Sequence, residues 1–270
     1  MKVALIGYGK MGKMIEAAAL ARKHEIAAVI DLFVNDVKPV SGAVLLPAFP
    51  AKIEDAGNPD LFIDFTKPET APLTVKAAAA LGKPVVCGTT GWYEKLPEVS
   101  AAVEKAGTAL LWSSNFSLGV NLFYRIASYA ARLTDPFNEY DVGGLEVHHS
   151  KKADSPSGTA KILMERVLAN MKRKTRVLWG DLPNPDPSSG GALSPDAVHF
   201  ASLRYGMVPG THSLFFDSQA DTIEITHTAR NREGFASGAV IAAEWLAGSQ
   251  TGKARHGIFT MDDVLKDILS

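Results

Sequence analysis

The sequence predicts an α/β fold: a parallel sheet flanked by helices, with a mixed α+β region inserted into it. Three observations predict it. Short apolar runs alternate with helical segments from residue 2 to about residue 119. After Asn121 that rhythm stops, and most of the next stretch alternates apolar and polar residues across turns. From residue 233 strongly helical sequence returns. Strands alternating with helices build parallel sheets covered on both faces, whereas period-two alternation marks mixed or antiparallel strands with one open face.

The first strand is KVALI at 2–6, short and rich in strand formers, followed at once by GYGKMG. Gly7, Gly9 and Gly12 fall in the G-x-G-x-x-G spacing. The first glycine permits a tight turn, the second lets a backbone approach a pyrophosphate, and the third lets helix and strand pack closely. The segment MGKMIEAAALARKH then reads as a helix whose N-terminus favours an anion, and EIAAVI at 25–30 as a second strand ending at Asp31. An acid about 20 residues beyond the glycines is placed to hydrogen-bond a ribose 2′-hydroxyl. The expected fold is therefore Rossmann-type, with Gly7, Tyr8, Gly9, Lys10, Met11, Gly12 and Asp31 on a dinucleotide; a purely structural βαβ turn is the competing reading.

Three further strands are expected from LFIDFT (61–66), KPVVCGTTGW (83–92) and TALLWSSNFSLG (108–119), with helices over 67–82 and 97–107. Ligands of parallel sheets gather at the carboxyl ends of strands, so Thr66, the 88–91 turn and residues 113–117 should line one crevice. Beyond lie a helix over 121–134, a strand over 141–150, a helix over 154–171 and a flexible loop over 184–196. Helices over 233–248 and 259–269 close the chain. This tail shows no sheet of its own and is expected to pack on the first domain. The domain plan is 1–118 with 233–270 for the cofactor, and 119–232 for substrate and oligomerisation, with the active site in the crevice between them.

Residues 145–160, LEVHHSKKADSPSGTA, concentrate reactive side chains. Consecutive strand residues face opposite ways, so His148 and His149 serve one ligand only if the strand ends there. Ser155 and Pro156 read as a helix start, with Pro at the first helical position. Ser157, Gly158 and Thr159 would then present hydroxyls and free N–H groups to an anion, with Lys152 adding charge and an imidazole transferring a proton. The pattern suits a small carboxylate-bearing substrate. A zinc site from His148, His149 and the distant His212 or His227 lacks cysteine and the usual spacing, so no metal is expected.

The bulk numbers exclude other classes. A net charge of −1 gives no reason to expect nucleic acid or an anionic membrane as partner. One cysteine, Cys87, rules out an intramolecular disulfide and fits a reducing compartment. The apolar stretch after Lys2 spans only about four residues, too short for a signal-peptide core, and nothing approaches a membrane span of roughly 20. A cytoplasmic location is expected.

The run from Glu146 to Ala160 follows E-x-H-H-x-x-K-x-D-x-P-S-G-T-A and resembles the signature of the dihydrodipicolinate (4-hydroxy-tetrahydrodipicolinate) reductase family of diaminopimelate and lysine synthesis. GYGKMG, DFTKPE, CGTTGW, NFSLGVNLF, RYGMVPGTH and HTARNREGFASGA are also similar to that family and occur in order across nearly the whole chain. The resemblance implies His148 as catalytic acid/base, Lys152 as proton donor and His149 as a substrate contact. Gly158 and Thr159 would bind a substrate carboxylate through their N–H groups, and Arg232 matches the family arginine. Gly88, Thr89 and Thr90, with Ser114, Asn115 and Phe116, would hold the nicotinamide end. It further implies a homotetramer and a cyclic dicarboxylic imine as substrate. Loss of water conjugates that ring, hydride enters at the carbon that carried the hydroxyl, and an enamine carbon then takes a proton.

Asp31 is followed by Leu32, Phe33 and Val34 where some members carry an arginine, which favours NADH over NADPH. Lys10 or Lys13 could still accept a 2′-phosphate, so dual use stays open. Two alternatives remain: another small-carbonyl NAD(P)-dependent dehydrogenase, and a catalytically inert NAD-binding regulator.

Overall fold

A computed structural model of the chain describes residues 1–32, 38–47, 53–182, 193–248 and 252–269. Two compact units emerge, one of residues 1–118 with 232–270 and one of residues 119–231.

In the first unit seven strands form one sheet: β1 (Lys2–Ile6), β2 (Glu25–Asp31), β3 (Val44–Pro47), β4 (Leu61–Asp64), β5 (Val85–Cys87), β6 (Ala109–Trp112) and β12 (Gly257–Phe259). Their order is β12-β6-β5-β4-β1-β2-β3, and every pairing is parallel. From β1 the chain runs outward through β2 and β3, then returns to β4 on the other side of β1. The order therefore reverses between β1 and β4, where sheets of this kind open a crevice.

Both faces are covered, which explains the nearly continuous apolar strands. Val3, Leu5 and Ile63 pack under Ile15 and Ala19 of α1 (Lys10–Ala21), Ala239, Val240 and Ala243 of α6 (Glu233–Leu246), and Val264 of α7 (Met261–Leu269). Ala4, Ile6 and Phe62 point the other way, under Ala71, Val75 and Ala78 of α2 (Ala71–Ala80) and Val99 and Val103 of α3 (Leu96–Lys105).

The second unit carries a five-stranded mixed sheet of β7 (Asp141–His148), β8 (Arg176–Trp179), β9 (Ala197–Arg204), β10 (Thr211–Asp217) and β11 (Thr222–Thr228), in the order β11-β10-β7-β9-β8. β7 is central. It pairs parallel with β9 and antiparallel with β10, setting Glu146 opposite Ser202 on one side and His212 on the other. Helix α4 (Leu118–Thr134) buries Val120, Phe123, Tyr124, Ala127 and Ala131 along one face, and α5 (Gly158–Leu168) buries Leu163, Met164 and Val167, all in the same core as Phe200, Leu214 and Phe216.

Several expectations need correction. The carboxy-terminal tail does have a strand, since β12 adds to the edge of the first sheet beside β6. Strand β4 ends at Asp64, two residues short, and β3 and β8 are additional four-residue strands. Runs this short carry too little periodicity to be read, and Pro47 ends β3 at a sheet edge, where a missing donor is tolerated. Helix α5 starts at Gly158 rather than near Ser155-Pro156. Ser157 takes the N-cap because its extended backbone turns its hydroxyl onto the Ala160 N–H (3.1 Å), while its own N–H is held by Glu146. The loop expected over 184–196 lies outside the described residues up to 192, as do Phe33 and Val34.

Candidate active site

The glycine turn sits at the switch point, directly after β1. Gly7 has φ +85°, and a Cβ there would lie 2.4 Å from the Phe65 carbonyl oxygen just past β4. A Cβ on Gly12 would lie 2.3 Å from the Gly7 carbonyl oxygen, so α1 packs against the turn only without a side chain. Gly9 meets nothing within 4 Å and forms the N-cap of α1 without a side-chain cap, so the first helical N–H groups, including those of Lys10 and Met11, lack one. Two glycines thus serve the protein's own packing and the third faces open space, the division a bound pyrophosphate requires.

Asp31, at the end of β2, accepts the Tyr8 N–H at 2.6 Å, so its carboxylate is tied across the turn. Gly7, Gly9, Asp31, Phe65 and Thr66 are among the residues lining a cleft of about 340 Å³. Lys13 lies 5.9 Å from the Tyr8 ring, and Lys10 is exposed at the helix start. The Tyr8 hydroxyl donates to Glu16, a buried acid of α1 that also accepts from the Ser41 N–H and hydroxyl (2.9 and 2.6 Å). Burial, with help from Glu16, pushes the Tyr8 phenol up to about 12.

Beside the turn, Asp64 knits the ends of β4 and β5. It is fully buried and accepts from the Thr66 N–H and hydroxyl, from the Thr89 hydroxyl (2.8 Å) and from Thr74. Burial raises its pKa, and those hydroxyls counter part of the rise. Gly88 donates its N–H to the Asp64 carbonyl (2.9 Å), and Thr90 and Ser114 are exposed. The Asn115 side chain accepts the Ser117 N–H (2.8 Å), and the Phe116 ring lies 5.9 Å from that of Phe65. Arg232 belongs to this first unit, exposed at the N-cap of α6.

The second unit holds a different kind of site, made of side chains. β7 ends at His148, which is buried, while His149 beyond it is half-exposed. Two residues back, Glu146 is fully buried. Its Oε1 accepts from Arg204 (2.7 Å), the Ser157 N–H (2.9 Å) and the Ser202 hydroxyl (2.9 Å). Its Oε2 faces two imidazoles, His212 Nε2 at 3.3 Å and His148 Nδ1 at 3.5 Å. Burial alone would raise the Glu146 pKa, but hydrogen bonds from His212, Ser157 and Arg204 outweigh it and hold the carboxyl well below its ordinary range. His148 is held down to about 4, chiefly by burial; Glu146 opposes this, while His212, Lys152 and Arg204 add to it.

Lys152 pairs with Asp154 at 2.7 Å, so Asp154 does more than shape its loop. Lys151 is exposed. Gly158 opens α5 exposed, and Thr159 follows half-buried with its carbonyl accepting the Tyr124 hydroxyl (3.3 Å). One ligand atom each from Glu146, His148 and His212 lies within 4.8 Å of the others. The guanidinium already on that carboxylate, and Lys152 beside His148, make this surrounding better suited to sharing protons than to a cation. Glu146, Arg204, Glu16 and Asp64 carry no role legible in the sequence alone, and His212 figures there only in the rejected zinc site. Glu146, Arg204 and His212 lie within the segments quoted as family-like, but their meeting depends on the pairing of β7 with β9 and β10.

The fold matches that of a dipicolinate-bound dihydrodipicolinate reductase from Paenisporosarcina sp. TG-14 (TM-score 0.74, 24% identity, covering 96% of this chain and 97% of that one). It also matches a probable dehydrogenase from Thermotoga maritima (TM-score 0.63, 10% identity, 100% and 94% covered). These likenesses show a shared α/β fold.

Residues 1–116 match the family model for the N-terminus of dihydrodipicolinate reductase, and residues 119–265 that for its C-terminus. A 4-hydroxy-tetrahydrodipicolinate reductase of Christiangramia forsetii is 36% identical over 268 residues, covering 99% of each chain. One of Archaeoglobus fulgidus is 35% identical over 274 residues, covering 98% of this chain and 100% of the relative. The chain belongs to the dihydrodipicolinate reductase family.

Proposed function

We propose that the chain reduces 4-hydroxy-tetrahydrodipicolinate to tetrahydrodipicolinate in diaminopimelate and lysine synthesis, using a nicotinamide dinucleotide. The observation that carries this reading is the buried His148 beside Lys152 and the Ser157-capped start of α5, in a chain that belongs to this reductase family. A regulator that only bound a dinucleotide would have no use for a proton-transfer pair.

Gly7 to Gly12 hold the pyrophosphate and Asp31 the ribose, with Thr66, Gly88, Thr89, Thr90, Ser114, Asn115 and Phe116 around the nicotinamide. The bound cofactor supplies the hydride. Gly158 and Thr159 grip one substrate carboxylate through their N–H groups, supported by the Ser157 cap, while His149 and Arg232 add contacts. With its pKa near 4, His148 rests neutral at pH 7, so a proton it delivers must be replenished. Lys152 is the donor, and Asp154 holds its ammonium in place. General acid help of this kind is worth about 10²–10⁴-fold.

NADH is the preferred cofactor. Asp31 is anchored by the Tyr8 N–H and cannot easily swing aside for a 2′-phosphate, which its charge repels. The working form is a cytoplasmic homotetramer; among the described residues no helix is long and apolar enough to cross a membrane.

The test couples pyruvate, aspartate semialdehyde and the preceding synthase to this protein and follows NADH or NADPH absorbance. Oxidation that depends on all components is expected; a rate no greater than the background without this chain overturns the reading. The KM values for NADH and NADPH decide the cofactor, and light scattering decides the assembly.

A further inference from the structure

We infer that Glu146 is a positioning residue that fixes the tautomer of His148, keeping Nδ1 protonated towards itself and leaving Nε2 as the working nitrogen. The inference deepens the reductase reading and rests on it for the role of His148.

The two oxygens of Glu146 are differently occupied. Oε1 is saturated by Arg204, Ser157 and Ser202 at 2.7–2.9 Å. Oε2 is buried without a partner in hydrogen-bond geometry; it faces His148 Nδ1 at 3.5 Å and His212 Nε2 at 3.3 Å, the latter also 3.2 Å from the Ser157 hydroxyl. A buried carboxylate oxygen left without a donor is costly, so each facing nitrogen is best protonated. A lone pair on His148 Nδ1 would instead meet the carboxylate lone pairs.

His148 therefore rests with Nδ1–H towards Glu146 and a free lone pair on Nε2. The Nε2 edge points at Gly210, where a Cβ would come within 3.0 Å. The charged and titratable groups around the imidazole are Glu146 on β7, His212 on β10, Arg204 on β9 and Lys152 in the loop, and only Glu146 favours its protonation. During turnover Nε2 takes a proton from the Lys152 ammonium, giving an imidazolium. The Nε2–H bond then breaks, a C–H bond forms at the enamine carbon, and the neutral Nδ1–H imidazole returns. An acid holding a histidine in this way sets both orientation and tautomer.

Glu146→Gln is the decisive variant because it inverts the pattern. Its amide oxygen can stay with Arg204 and Ser157, and its NH₂ then faces the histidines as a donor, forcing His148 to accept at Nδ1 and to carry its proton on Nε2. Nitrogen-15 spectra of histidine-labelled protein, with His148 assigned by its loss in His148→Gln, should show the neutral Nδ1–H form in the wild type near pH 7. Glu146→Gln should show the Nε2–H form. A wild-type Nε2–H tautomer overturns the inference whether or not the variant folds.

In turnover, Glu146→Gln should lower kcat about 100-fold while substrate KM moves less than about threefold, because only the proton-transfer step is affected. Added to His148→Gln it should cost less than about threefold more, since the two residues act as a unit. Fully additive losses overturn the inference. If the wild type fails to reduce the substrate at all, the reductase reading falls, and the tautomer spectrum still decides the role of Glu146.

Discussion

The glycine turn and the Glu146–His148 cluster are the two candidate site features, and they are built on opposite principles. The turn is backbone: within Gly7 to Gly12 the important atoms are N–H groups and missing Cβ atoms, and Asp31 contributes by capturing one of those N–H groups. The cluster is side chain: a carboxylate, two imidazoles and a guanidinium from three strands meet in a buried space. The first tolerates changes of side-chain chemistry and not of volume. The second, on the proposed reading, depends on charge and on tautomer. An anion needs only oriented dipoles, which backbone supplies locally, whereas proton transfer needs titratable groups shielded from water, which only tertiary packing provides.

The largest expected effect tests whether the two regions have separate jobs. His148→Gln should cut kcat by about 10²–10⁴-fold with dinucleotide affinity changed less than about twofold, and Lys152→Ala should act in the same direction. Isothermal titration beside steady-state kinetics checks it, and full activity in both variants would dissolve the distinction.

The reciprocal test is Gly12→Ala. Its Cβ would meet the Gly7 carbonyl oxygen at 2.3 Å, so dinucleotide Kd should rise about tenfold or more and the thermal midpoint should fall. Gly9→Ala has open space on the protein side, so it should weaken the dinucleotide while leaving the midpoint of the free protein nearly unchanged. Equal midpoints for the two variants would contradict this division of labour.

A third contrast is pH. The folded-state pKa of His148 is depressed to about 4 from 6.5, so its contribution to stability is complete above pH 6.5 and is lost as pH falls towards 4. The loss should be about 1–3 kcal/mol, and His148→Gln should flatten that part of the curve, read by urea unfolding at a series of pH values. Glu146 adds a further loss below about pH 4.5 with the same sign. Gly9 carries no titratable group, so Gly9→Ala should keep the wild-type slope.

The smallest effect concerns specificity. Asp31→Ser removes the carboxylate that bonds Tyr8 and should raise the NADPH:NADH ratio of kcat/KM about tenfold. An unchanged ratio would move cofactor choice to Lys10 or Lys13.

The turn was legible in the sequence because its parts are contiguous and its spacing follows directly from helix and strand geometry. Asp31 was legible for the same reason, one strand later. A strand ending close to His148 could also be anticipated, as could a helix start beyond it, although the cap fell on Ser157, two residues past the expected one. Asp154 was read as loop and proved to hold Lys152, an interaction two residues long that no periodicity announces. Arg204 and His212 lie 58 and 66 residues beyond Glu146, and nothing local ties them to it.

The sequence by itself determined the alternation of strands and helices, the glycine turn with its acid, and the crowded 145–160 run, because each depends on neighbours within one element. Only the tertiary structure decided that β12 completes the first sheet and that β7 lies between β9 and β10. It also decided that Glu146, invisible as one more acid in a strand, faces His148 and His212. Register between distant strands is set by packing over the whole unit, and a buried charge declares its purpose only when its partners are known.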